Sequence, residues 1–199
     1  MPKARFLYVD GMDGCGKDTQ ALNIARYFLK RGETVQLRSH PAIDNYWGVK
    51  AKFNLEHSTG KSGLIKAAFF YAMDVIRSLI LYFRPISYQN IIFVRYLMGT
   101  AYLPGKLSLI GYRFFACFLP TSKFAFFVDV SPEEAFKRVK QRAKTENIQE
   151  EMFETKEKLA KMRKKISYLA RLHNWFIIPG DGSPEEVWTI IEQILNQKT

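Results

Sequence analysis

The stretch Arg5-Phe6-Leu7-Tyr8-Val9-Asp10-Gly11-Met12-Asp13-Gly14-Cys15-Gly16-Lys17-Asp18-Thr19-Gln20 decides how the chain is read. Phe6–Asp10 is continuously apolar up to its aspartate, as a strand buried on both faces would be. After the loop, Lys17–Arg31 carries Leu22, Ala25, Tyr27, Phe28 and Leu29 near 3.6 spacing and stops at Gly32, which predicts a helix with a glycine C-terminal signal. Between them Gly11 to Lys17 fits G-x-x-x-x-G-K. Glycines are required because the loop must turn its N–H groups inward around a phosphate, where side chains would block the approach. The helix that follows adds its N-terminal dipole, and Lys17 can bridge the β- and γ-phosphates. The candidate nucleoside-triphosphate residues are therefore Gly11, Asp13, Gly14, Cys15, Gly16, Lys17, Asp18 and Thr19.

Asp18 stands where Ser or Thr is usual. A carboxylate is a stronger oxygen ligand for Mg²⁺ than a hydroxyl, and it also repels the phosphates beside it. Asp18 is thus the first candidate metal ligand, with Thr19 as the nearby hydroxyl and Asp10, at the strand end, as a candidate for the metal's water shell.

Four further runs read as buried parallel strands: Thr34–Arg38, Asn90–Val94, Phe124–Val130 and Trp175–Ile178. Helical character fills the intervals, over Lys61–Phe83 and, broken by Pro104-Gly105, over Gly99–Leu119. Ser131-Pro132-Glu133-Glu134 and Ser183-Pro184-Glu185-Glu186 each carry the N-cap, first-turn proline and closing glutamate of a capping box. The mixed-charge stretch Lys137–Lys165 reads as a solvated helical hairpin. Strands alternating with helices predict an α/β fold, a five-stranded parallel sheet flanked by helices, in one domain over residues 1–199.

The chain carries 30 Lys+Arg against 19 Asp+Glu, a net charge of +11 that suits an anionic partner. Between Asp74 and Asp129 there is no acidic residue. Lysines and arginines cut that stretch too short for a membrane span, and Phe6–Val9 is too short for a signal-peptide core, so a cytoplasmic protein is expected. Cys15 and Cys117 lack any CxxC or Cys/His spacing and read as reduced thiols. No nucleic-acid-binding module is recognisable, so neither nucleic acid nor membrane is expected as a partner.

With the loop placed, the chain resembles the thymidylate kinase family of P-loop nucleoside monophosphate kinases along nearly its whole length. Gly11 to Gln20 resembles that family's G-x-D/E-G-x-G-K-T-T-Q loop, and Arg38-Ser39-His40-Pro41 its Arg-Glu-Pro segment. Phe69-Phe70-Tyr71-Ala72-Met73-Asp74 resembles its Leu-Phe-x-Ala-Asp-Arg helix, and Val94-Arg95-Tyr96 through Tyr102 its Asp-Arg-Tyr segment. Phe127 to Ala135, leading into Arg138 and Arg142, resembles the strand and helix before a helical lid at about residues 140–155. The resemblance implies transfer of the γ-phosphoryl of ATP to a deoxynucleoside monophosphate, first dTMP, with Mg²⁺, in a homodimer. It also implies that Arg95 and Arg38 hold the acceptor phosphate, Tyr71 stacks on the base, Tyr102 lies beside the sugar, and Asp13 faces the sugar hydroxyl. Because Gly14 stands where some members carry a loop arginine, the transition-state cation falls to the lid, with Arg142, or Arg138 with Lys144, as candidates.

Two departures bear on function. Val94 replaces the aspartate of Asp-Arg-Tyr while Asp18 adds a carboxylate to the phosphate loop, an exchange that preserves local charge if the two positions share one region. Val75 replaces the arginine that reads the thymine, and Arg77, two residues on, faces elsewhere on the helix, so thymine specificity is weakened; the alternatives are a kinase of another (deoxy)nucleoside monophosphate or, given the substitutions at positions 18, 75 and 94, a nucleotide-binding homologue with weak or no catalysis.

Overall fold

The computed structural model describes residues 4–57, 60–82, 88–103, 105–118, 122–146 and 155–198. Five parallel strands form the sheet: β1 (Arg5–Asp10), β2 (Val35–Ser39), β3 (Asn90–Val94), β4 (Phe124–Asp129) and β5 (Phe176–Pro179), in the order β2-β3-β1-β4-β5. Each expected strand is present, shifted by a residue at most at either end. The helices are α1 (Lys17–Lys30), α2 (Tyr46–His57), α3 (Gly60–Tyr82), α4 (Leu107–Phe118), α5 (Pro132–Glu146), α6 (Lys156–Leu172) and α7 (Pro184–Lys198), with a 3₁₀ helix over Leu97–Tyr102. Most of the expected lid, residues 147–154, lies outside the described residues. Among the described residues no helix is long and apolar enough to cross a membrane.

The register sets the site. Val9 of β1 lies opposite Val94 of β3, and Ser39 of β2 opposite the same Val94, so Asp10, Ser39 and Arg95 all fall at the carboxyl end of the sheet. Ligands of open α/β sheets bind at that end, where the strand order reverses. Behind it the core is aromatic: Tyr8 stacks on Tyr96 at 4.6 Å, and Tyr96 on Phe93 at 5.0 Å. Burying each such side chain contributes about 2 kcal/mol.

Two helix starts were expected to close the same way and differ. At α7, Ser183 Oγ accepts from the Glu186 amide and Glu186 Oε2 accepts from the Ser183 amide, a complete capping box. At α5, Ser131 Oγ accepts from the Glu134 amide, but the Ser131 amide donates to Asp181 instead (2.8 Å), because the Glu134 carboxylate is held by Arg138. Helix α2 was not expected. Its apolar residues Tyr46, Val49 and Phe53 are exposed and give no buried stripe, and its N-terminus is fixed by Asn45, whose side chain accepts from the Gly48 amide.

Candidate functional site

The phosphate loop turns on Gly14 and Gly16, at φ +80° and +87°, conformations that side chains disfavour. Gly14 also lies under α5: a Cβ there would come within 2.4 Å of the Ala135 carbonyl oxygen. The loop is therefore seated directly on the first turn of α5. On the same side Arg138 donates to Glu134 and to the carbonyls of Gly180, Asp181 and Gly182, binding α5 to the loop after β5. In this structure the Arg138 guanidinium ties these two segments together. Arg142 and Lys144 are exposed and form no ion pair among the described residues.

Lys17 is buried, and its ammonium donates to the Met12 carbonyl (3.0 Å) and to Asp13 Oδ1 (3.2 Å). Arg95 Nη2 donates to the same Asp13 oxygen at 2.7 Å, and Arg95 Nη1 stands 3.7 Å from Asp18 Oδ2. The lysine of the donor loop and the arginine after β3 thus converge on one atom. Lys17, with Arg95, holds the Asp13 carboxyl well below the usual carboxylate range despite its burial. Asp18 also accepts from the Ser39 hydroxyl (3.5 Å), which puts its carboxylate at the ends of β2 and β3, in the region of Val94.

Arg95 has a positive φ of 53°. A non-glycine residue there costs of order 1 kcal/mol and persists only when its surroundings fix it. Tyr71 supplies one such constraint: its hydroxyl donates to the Arg95 carbonyl, and its ring lies so close to Gly99 that any Cβ there would collide with it. Asp10 supplies another. Its two oxygens accept from the amides of Gly11 (2.9 Å) and Tyr96 (3.1 Å), stapling the phosphate loop to the residue after Arg95. Asp10, expected near a metal's water shell, is buried and makes these two backbone contacts; burial pushes its carboxyl up to about 6. Tyr71, expected to stack on a base, braces the turn and presents its ring to a narrow crevice shared with Ala72, Val75, Gly99, Thr100 and Phe115. The side chain of Tyr102 lies outside the described residues.

Arg38, the second expected phosphate ligand, is enclosed by its own network. Asp44 binds it bidentately at 2.5 and 2.7 Å, Ser78 Oγ accepts from its Nε at 3.2 Å, and Asp74 lies 3.9 Å away. His40 shares Ser78 at 3.0 Å and is driven down to about 3 by burial and by the Arg38 charge. Sequence reasoning did not find Asp44 or Asn45. Their signal was the Asp-Asn pair before an aromatic run, an N-cap pattern without visible helical periodicity behind it. A concavity of about 620 Å³ between α2 and α3 is an apolar groove lined by Tyr46, Phe53, Ile65 and Phe69, none of which belongs to the Lys17–Arg95 cleft.

Among solved structures, one described as deoxyadenosine kinase from M. mycoides with bound dATP matches with a TM-score of 0.65 over 96% of this chain and 99% of that one. At 16% identity that likeness shows the shared fold. A search of curated proteins gave no significant match. The family model described as thymidylate kinase matches residues 9–191, a span that takes in the phosphate loop, both arginine segments and α5. The chain therefore belongs to the thymidylate kinase family and is an enzyme, a nucleoside monophosphate kinase.

Proposed function

We propose that the enzyme transfers the γ-phosphoryl of ATP to a deoxynucleoside monophosphate, with dTMP the first acceptor to test. The observation that supports this reading is the meeting of Lys17 and Arg95 on one Asp13 oxygen. Phosphoryl transfer asks mainly for positioning and charge neutralisation between two facing phosphates, and this geometry sets a donor-side and an acceptor-side cation side by side.

In this reading the loop amides from Gly11 to Gly16 cradle the donor phosphates and Lys17 moves from Met12 and Asp13 onto their oxygens. Arg95 holds the acceptor phosphate, whose own anionic oxygen attacks the γ-phosphorus in line with the departing ADP, so no protein base is required. Asp13, released by both cations, is left to accept from the acceptor's sugar hydroxyl. Arg142, on the last turns of α5, is the lid cation that would reach the transferring group. Tyr71 and Tyr102 would flank the nucleoside.

The donor set fits Mg²⁺. Asp18 is an exposed carboxylate in the first turn of α1 with Thr19 beside it, and among the described residues no cluster of three or more His, Cys, Asp or Glu exists, so phosphate oxygens and water would complete the shell. When bound, the ion would neutralise charge on the phosphates. Asp18 reaching the ends of β2 and β3 supports the view that it takes over for the carboxylate missing at Val94.

Val75 favours a second reading, a kinase of another (deoxy)nucleoside monophosphate: the crevice beside Tyr71 is walled by apolar side chains where a base-reading arginine is the family pattern. We also take the enzyme to be cytoplasmic, in keeping with its two free thiols, and homodimeric, with the exposed apolar groove of α2 and α3 as the surface a second copy would cover. The decisive experiment is an ATP/Mg²⁺ transfer assay across the four deoxynucleoside monophosphates and their ribo forms. Transfer to dTMP alone supports the first reading and transfer to others the second. No transfer to any of them leaves a nucleotide-binding homologue without catalysis.

A further inference from the structure

Arg38 and Arg95 are both expected to meet an acceptor phosphate, yet their surroundings differ. The planar fork of Arg38 is already satisfied: Nη1 and Nη2 each donate to one oxygen of Asp44, the arrangement in which an arginine grips a phosphate monoester. A second guanidinium lies in the same field. Arg77 lowers the Asp44 carboxyl together with Arg38 and Asn45, and its Nη1 is buried without a hydrogen-bond partner among the described residues. Val75, two residues before it on α3, lines the crevice beside Tyr71 instead.

The two carboxylates near Arg38 are not equivalent. Asp74 is fully buried and fixed by the Ala42 amide and Asn45 Nδ2, both at 2.7 Å. Asp44 has a side chain 58% exposed and sits in the loop between β2 and α2, where besides Arg38 it accepts from Asn45 Nδ2 at 3.1 Å, so it has solvent beside it to move into. If it does, Ser78 still holds Nε and Asp74 still stands beside Nη2, so the guanidinium keeps its place with its fork open.

We propose that Asp44 is an internal stand-in for the substrate's phosphate: it occupies the anion position on the Arg38 fork and must be displaced by the phosphate of an incoming nucleoside monophosphate. The inference rests on the acceptor reading given above. A phosphate dianion must displace the carboxylate, whereas a nucleoside without phosphate does not compete for that position, so Asp44 lowers affinity for monophosphates alone and narrows their advantage over nucleosides.

Calorimetric titration of wild type, Asp44→Asn, Arg38→Met and the double variant with dAMP, dCMP, dGMP, dTMP and thymidine tests this, with ATP binding and thermal unfolding as controls of the fold. Asp44→Asn is expected to bind the preferred monophosphate about two- to fivefold more tightly, the scale of one ion pair with an exposed carboxylate, and thymidine unchanged. The gain is expected to vanish in the double variant. If folded Asp44→Asn binds the monophosphates equally or more weakly, Asp44 merely braces Arg38 and the inference falls while the kinase reading stands. If wild type binds ATP but none of the four monophosphates, the acceptor reading itself fails and takes this inference with it.

Discussion

The donor side of the cleft and its acceptor side are held by different forces. On the donor side the phosphate loop rests on α5 at Gly14, backbone against backbone, and the Arg138 side chain clasps the carbonyls of Gly180, Asp181 and Gly182. On the acceptor side the ends of β2, β3 and α3 are joined by charged and titratable side chains: Arg38 with Asp44 and Asp74, His40 with Ser78, Arg95 with Asp13 and Asp18. A backbone interface tolerates no added atom but is indifferent to pH and salt. A side-chain network is the reverse. In the proposed reading the donor half is thus held mainly by backbone packing and the acceptor half by ion pairs, the two joined by the Asp10 staple and by Asp13.

Substitutions can break that contrast, and the one with the largest expected effect removes the cation shared by the two halves. Lys17→Ala is expected to lower kcat for phosphoryl transfer by about 10²–10³-fold, as losing a group that stabilises transition-state charge does. An effect below tenfold would mean that the two sides do not work through Lys17. Gly14→Ala probes the donor side alone. Both the positive φ and the clash with the Ala135 carbonyl predict a loss of about 2 kcal/mol in unfolding free energy, together with a raised KM for ATP and little change in acceptor KM.

The acceptor side is expected to answer to pH. His40 is neutral in the fold down to about pH 3, whereas unfolded it titrates at its ordinary value of 6.5. Between those values the unfolded chain binds the extra proton, so His40's contribution is complete above about pH 6.5 and is lost as the pH falls toward 3. By pH 5 it should have cost about 2 kcal/mol. His40→Gln should flatten the denaturation midpoint between pH 7 and 5; an unchanged slope would assign the acid sensitivity to another group.

The smallest expected effect tests the link between Asp18 and Val94. Asp18→Thr restores the usual loop hydroxyl but removes the carboxylate near Arg95, and should reduce Mg²⁺-dependent turnover by about tenfold. A rise in turnover would show that Asp18 does not replace the missing strand carboxylate.

The donor side was legible because its requirements are local. Gly14, Gly16 and Lys17 lie within one turn of chain, and the strand before and helix after carry their own apolar signatures. On the acceptor side only the end of β3 could be read that way. Arg38 was visible as a basic residue after a strand, but nothing near it in sequence announces that Asp74, from α3, shares its guanidinium. Asp10 shows the same limit: a carboxylate at a strand end suits a metal or a backbone staple equally, and only the tertiary structure brings the Tyr96 amide, 86 positions away, within its reach. Arg138 was one of two arginines a helical turn apart, and its neighbour along the chain gave no hint that residues 180–182 would claim it.

By itself the sequence determined the α/β class, the parallel strands, the phosphate loop and the lysine within it, because glycine conformations and apolar periodicity act over a few residues. The tertiary structure alone decided which cations are free and which are already paired. Ion pairs depend on distances of a few ångströms between segments far apart in the chain, and the meeting of α3 with Arg38 and of the phosphate loop with Arg95 sets those distances. The basic surplus of the sequence therefore overstated the positive charge on offer in the cleft: Lys17, Arg38 and Arg95 each hold a carboxylate of their own chain.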